Sequence, residues 1–141
     1  MIHAPNQREI PKGILMGKFA YVIEDDVDLA KIYTEALKMA GFEVETLLDG
    51  QVAYNRIKER KPDFVLLDMH LPHVSGNEIL WLTWFDDLLE SVKFTIITAD
   101  PDMGRIYKPK GYQVLIKPVS FEALVEMAKE VFTGTEKQNQ A

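Results

Sequence analysis

Cysteine is absent from the chain, which excludes disulfides, thiolate catalysis and cysteine-ligated zinc and fits a reducing compartment. Absent too is any apolar run approaching the roughly 20 residues of a bilayer-spanning helix. Pro5, Arg8, Glu9, Pro11 and Lys12 interrupt the N-terminus where a signal peptide needs an apolar core. An excess of positive charge is also lacking: 16 Lys and Arg stand against 22 Asp and Glu, a formal net charge of -6. That balance argues against a general nucleic-acid or anionic-membrane binder, both of which rely on surplus Lys and Arg, and leaves only a local basic patch open. No internal repeat or low-complexity tract is visible. These absences predict a cytoplasmic chain with no membrane insertion and no direct contact with nucleic acid.

What is present is the composition of a globular domain. With 141 residues, 47% of them hydrophobic and 27% charged, the chain is long enough to bury one core unaided. Residues 1–18 hold Pro5, Pro11, Gly13 and Gly17 among scattered charges and read as a flexible arm. Residues 133–141, TGTEKQNQA, read as a disordered polar tail. The folded domain is therefore expected at residues 19–132.

Within it, short apolar runs alternate with helical patterns. FAYVI (19–23) is followed at once by Glu24, Asp25, Asp26 and Asp28, then by Leu29, Ile32, Tyr33, Ala36, Leu37 and Ala40 at helical spacing, stopped by Gly41. Residues 42–47 alternate, with Phe42, Val44 and Thr46 on one face and Glu43 and Glu45 on the other, as at a sheet edge. Asp49 and Gly50 lead into a helix with Val52, Ala53 and Ile57 as its apolar stripe, ended by Pro62. FVLL (64–67) is a strand buried on both faces that ends in Asp68. Residues 77–89 read as a third helix, apolar on nearly every side. A fourth strand ends at Thr98, a fifth at Lys117, and Ser120 caps a last helix with Phe121, Leu124, Val125, Ala128 and Val131 inward. Strands and helices in alternation predict an α/β fold, a parallel sheet with helices on both faces.

In such a sheet the strand ends share one rim, where the functional crevice lies. Glu24 and Asp25, Asp68, Thr98 and Lys117 all close strands. Each has an ordinary reading alone, as a helix cap, a turn, a half-buried hydroxyl or a surface charge; together they require several coincidences. Three clustered carboxylates repel one another and invite a hard divalent cation such as Mg²⁺, and a lysine beside them supplies a point charge for an anion such as a phosphoryl group. A metal, a free carboxylate, a hydroxyl and an ammonium are the parts of phosphoryl transfer to a carboxylate. Asp68, alone at the end of the central strand, is the expected acceptor.

With these residues in place, VIEDD, LLDMHLPHVSG, IITA and IKPVSF resemble, in order and near-spacing, the receiver domain of two-component response regulators. The resemblance covers about residues 19–132. It implies a flavodoxin-like sheet of five strands in the order 2-1-3-4-5, with five helices, and phosphorylation of Asp68 by a histidine kinase or phosphotransfer protein. It also implies Mg²⁺ held by Asp25, Asp68 and the main-chain carbonyl of His70, with Glu24 acting through water and Asp26 outside the metal shell. Thr98 and Lys117 would contact the phosphoryl group, and the Lys117–Pro118 peptide would be cis. Such a domain is a signalling phosphoacceptor that assists its own phosphorylation and dephosphorylation, rather than an enzyme, and it signals through a downstream protein.

Two features depart from the family pattern. The interval from Thr98 to Lys117 is short and contains Pro101, Gly104, Pro109 and Gly111, which predicts a short or irregular fourth helix within residues 102–108. Val114 stands where the family usually carries an aromatic switch residue, and valine has little rotamer freedom; Tyr107 and Tyr112 are nearby substitutes. Trp81, Trp84 and Phe85 exceed what one sheet face can bury; they either form a partner or homodimer surface or cover the neighbouring helix and loop. With no output domain after Phe132, the chain reads as a stand-alone receiver, although a fragment of a longer regulator would look the same. The alternative is a phosphorylation-independent docking module that keeps the fold without the switch. A metal-dependent phosphatase fits less well, because Met69 and His70 offer no second acid beside Asp68.

Overall fold

The computed structural model describes residues 17–134. Five strands, β1 (Phe19–Ile23), β2 (Glu43–Leu47), β3 (Phe64–Asp68), β4 (Lys93–Thr98) and β5 (Gln113–Ile116), form one sheet ordered β2-β1-β3-β4-β5, and every neighbouring pair is parallel. Five α-helices connect or follow them: α1 (Val27–Ala40), α2 (Gly50–Glu59), α3 (Gly76–Trp84), α4 (Pro101–Tyr107) and α5 (Phe121–Thr133). The expected α/β sheet and its strand order are therefore present.

The two-residue period of the strands splits the core into two layers. Tyr21, Ile23, Val65, Leu67 and Ile96 pack with Ala53 and Ile57 of α2, Ile79 and Leu80 of α3 and Tyr107 of α4. On the other face Ala20, Val22, Phe64, Leu66 and Ile97 meet Tyr33, Ala36 and Leu37 of α1 and Leu124, Val125, Ala128 and Val131 of α5. Covered on both sides, β1 and β3 are buried at every position. At the edge, Phe42 and Val44 pack toward α1 and α5, and Thr46 meets Thr34 of α1 (Oγ1 to Oγ1, 2.7 Å). Glu45 and Glu43 project the other way, to Arg56 of α2 and to Arg60 just after it.

Several boundaries differ from the sequence reading. Ile32 and Val52 are exposed; their spacing is helical, but each lies one step off the buried stripe of its helix. The third helix ends at Trp84 instead of continuing to residue 89, because Asp86 accepts the Leu88 amide (3.0 Å) and restarts the chain as a 3₁₀ turn, Asp87–Leu89. The fourth helix is short, as expected, but begins at Pro101: Asp100 caps it, and proline is favoured in a first turn, where its missing N–H costs no bond. A further 3₁₀ turn, Lys108–Lys110, ends at Gly111 in the left-handed region (φ 97°). The last helix includes Thr133 and is capped by Gly134, so the domain extends past residue 132. Lys18, assigned to the arm, donates from Nζ to the Phe132 carbonyl at the end of that helix (2.6 Å). The rest of the expected arm and tail lies outside the described residues.

Candidate functional site

Parallel register brings the predicted residues to one rim. Ile23 is opposite Leu67, so Glu24 and Asp68 follow side by side; Asp68 is opposite Ile97, and Thr98 opposite Ile116. The Glu24 amide donates to the Leu47 carbonyl (3.0 Å) and the Lys117 amide to the Thr98 carbonyl (2.7 Å), extending the sheet's hydrogen bonding to the site residues themselves. Carboxylate oxygens of Glu24, Asp25 and Asp68 lie within 4.8 Å of one another. Glu24 and Asp68 are buried and Asp25 is exposed at the mouth.

Lys117 reaches this group from β5. Its Nζ donates to Glu24 Oε1 at 2.7 Å and lies 3.7 Å from Asp68 Oδ1. Two buried carboxylates therefore share one ammonium, with a third carboxylate at the entrance. Desolvation dominates Glu24: burial pushes its carboxyl up to about 7, against the lowering effects of the Lys117 hydrogen bond and the Asp26 amide. Burial together with the acids of this rim also raises the Tyr33 hydroxyl of α1.

The remaining predicted residues border the same group. Thr98 is fully buried, and its Oγ1 accepts the Asp100 amide at 3.1 Å. The His70 amide donates to Asp68 Oδ1 (3.3 Å) while its side chain faces solvent. Asp26 stands apart from the acidic group, since its Oδ1 caps α1 by accepting the amides of Asp28 and Leu29 (3.0 and 3.1 Å). The Lys117–Pro118 peptide is cis.

Sequence reading missed what holds the loop after Asp68. A Cβ on Gly76 would lie 2.7 Å from the Asp68 carbonyl oxygen, and one on Gly50 only 1.6 Å from the Val74 carbonyl oxygen. Only glycine lets the amino ends of α2 and α3 close on this loop. The Gly50 amide donates to Pro72 (3.2 Å), and His73, at φ 69°, pairs through Nδ1 with the Asp49 carboxylate. Glycine at two helix starts was visible, but their common neighbour was not. Val114 is buried in the α2–α3–α4 layer. Beside it, Tyr107 donates to Asn77 and meets Tyr112 edge-on, the ring centroids 5.7 Å apart.

Among the described residues, no helix is long and apolar enough to cross a membrane. Residues 20–129 match the model of the response regulator receiver domain. The chain is 35% identical to the probable methanogenesis regulatory protein FilR2 of Methanothrix harundinacea, over 80% of this chain and 82% of that one. It is 31% identical to the phosphate regulon transcriptional regulatory protein PhoB of Pseudomonas aeruginosa over 86% of its own length, and spans about half of PhoB (54%). Among solved structures it is similar to the response regulator DrrB of Thermotoga maritima (27% identity, TM-score 0.73, 87% of this chain and 55% of that one). It shares the fold of the chemotaxis response regulator CheY4 of Vibrio cholerae (22% identity, TM-score 0.73, 82% and 99% of the two chains). With this sheet, this acidic rim and a family match across most of its length, the chain belongs to the response regulator receiver domain family.

Proposed function

We propose that this chain is a phosphoacceptor of a two-component phosphorelay, taking a phosphoryl group from a histidine kinase or phosphotransfer protein onto Asp68 and signalling through contacts with a downstream protein. The observation that carries this reading is the single Lys117 ammonium set between buried Glu24 and Asp68, 2.7 and 3.7 Å away, beside the buried Thr98 hydroxyl. In the transfer, an Asp68 carboxylate oxygen forms the new bond to phosphorus as the bond from phosphorus to the donor imidazole breaks. Negative charge spreads over the three remaining phosphoryl oxygens. Lys117 offsets that charge, and the Thr98 hydroxyl donates to one of those oxygens.

The donor set fits Mg²⁺: the acids here are hard oxygen ligands, and their formal charge exceeds that of the ammonium they share. Glu24, Asp25, Asp68 and the main-chain carbonyl of His70 would hold the ion. Its chemistry there is to neutralise carboxylate and phosphoryl oxygens during transfer. The same residues assist loss of the phosphoryl group to water, making the chain a signalling protein that acts on itself. The cysteine-free composition fits a cytoplasmic setting.

A second reading, a docking module independent of phosphorylation, is favoured by one observation: buried Val114 has no ring to move. Intact-protein mass after incubation with a small acyl-phosphate donor separates the two. The phosphoacceptor reading expects a Mg²⁺-dependent gain of one phosphoryl group that Asp68→Asn abolishes. No gain under conditions where Mg²⁺ binds overturns it in favour of the docking module.

A further inference from the structure

At the opposite end of the sheet from the acidic rim, beside the starts of β4 and β5, the molecule carries a second surface built for contact. Trp81, Trp84, Phe85 and Leu88 are 55%, 49%, 73% and 77% exposed. They fall within eight residues, at the end of α3 and through the 3₁₀ turn that follows, too many large apolar groups in one place for ordinary surface scatter. They are also ordered: Trp81 and Phe85 meet edge-on at 5.1 Å, and the Trp84 indole donates to the Tyr112 hydroxyl at 2.6 Å. Trp84, Leu89, Phe94 and Tyr112 wall a cavity of about 280 Å³.

The border of that cavity is acidic. Asp86, Asp87 and Glu90 all line it, and from residue 86 to 93 the chain carries these three acids against Lys93 alone. An aromatic wall with three carboxylates along one side is complementary to a planar, weakly hydrated cation, which can stack on the rings while its N–H groups meet the carboxylates. Phosphate-bearing nucleic acid is repelled by the same charge. A second copy would bring identical acids face to face in a two-fold contact. We propose that this surface docks a basic segment of another protein, an arginine entering the Trp84–Tyr112 cavity and a neighbouring apolar side chain covering Phe85 and Leu88. Docking there requires no phosphoryl chemistry at Asp68.

Both tryptophans of the chain lie in this patch, so their indole N–H resonances report on it directly. A randomised peptide-display library selected on the full 141-residue chain is expected to enrich segments that pair Arg with Trp, Phe or Leu. The selected peptide should shift the Trp84 indole signal and bind about tenfold more weakly to Asp87→Asn/Glu90→Gln, which leaves the Asp86 cap in place. Asp68→Asn should bind it as wild type does. Enrichment of acidic or uncharged segments, unmoved indole signals, unchanged affinity in the double variant, or no enrichment would each overturn the proposal. Concentration-dependent dimerisation abolished by Trp84→Ser would instead assign the patch to a second copy.

Discussion

Glu24 at the acidic rim and Glu45 at the sheet edge each accept hydrogen bonds from a basic side chain, yet their acidities move in opposite directions. Arg56 grips Glu45 through Nε and Nη2 (2.8 and 2.7 Å) and holds its carboxyl below the usual range. Lys117 reaches Glu24 at the same 2.7 Å, but burial outweighs that bond and raises Glu24 to about 7. Water decides the difference. At the edge it remains the solvent for both partners, so the pair adds a modest attraction to charges that are already stable. At the rim the fold has removed water from two carboxylates and returned one ammonium. The uncompensated charge left there is what the proposed Mg²⁺ and phosphoryl group would meet.

Deleting the cation from each region breaks the comparison most severely. Lys117→Ala leaves Glu24 and Asp68 buried without their ammonium and is expected to lower unfolding free energy at pH 8, in chelator, by about 3 kcal/mol. Arg56→Ala at the edge should cost far less, because water still solvates Glu45 there. Urea denaturation of the two variants measures both, and equal losses would show that burial is not the deciding factor.

Neutralising the acids should give effects of opposite sign. Because the folded-state value of Glu24 is raised above 4.5, the folded chain holds that proton more tightly than the unfolded chain. Its contribution is complete below about pH 4.5 and is lost as pH rises through about 7. Glu24→Gln should therefore flatten that decline and stabilise the metal-free protein at pH 8 by about 1 kcal/mol. A pH series of denaturation midpoints in chelator tests this, and an unchanged slope would count against burial as the cause. Adding Mg²⁺ should favour wild type over the variant.

The smallest change is expected at the edge. Glu45 has a lowered folded-state value, so its contribution is present above the ordinary value of 4.5 and disappears as pH falls through the lowered one. Glu45→Gln should cost about 0.5 kcal/mol at pH 7, a difference that vanishes in acid. A cost equal in size to the Glu24→Gln gain would remove the contrast between the regions.

Much of the rim was legible in the chain because parallel strands convert order into position. FAYVI, FVLL and the apolar runs that lead to Thr98 and Lys117 each run directly into a residue of the rim, and four such ends need no knowledge of packing to meet. The short fourth helix was equally legible, since Pro101, Gly104 and Pro109 limit helix wherever they fall. What escaped depends on neighbours distant in sequence. Gly50 against Val74, Tyr107 on Asn77, and Trp84 on Tyr112 join segments whose separation is set by helix placement, which local patterning does not encode. The end of α3 escaped for a related reason: apolar residues continue past Trp84, and only the Asp86 cap and the position of β4 turn the chain aside.

By itself, then, the sequence determined the alternation of strands and helices and the set of side chains at the strand ends, because hydrophobic periodicity and glycine or proline stops act over a few residues. The tertiary structure alone decided which of the clustered acids lose their water. Glu24 and Asp25 are adjacent carboxylates with the same local surroundings in sequence; one is sealed under the rim beside Lys117 and the other faces solvent. Burial is a property of everything packed around a group, so no stretch of chain carries it.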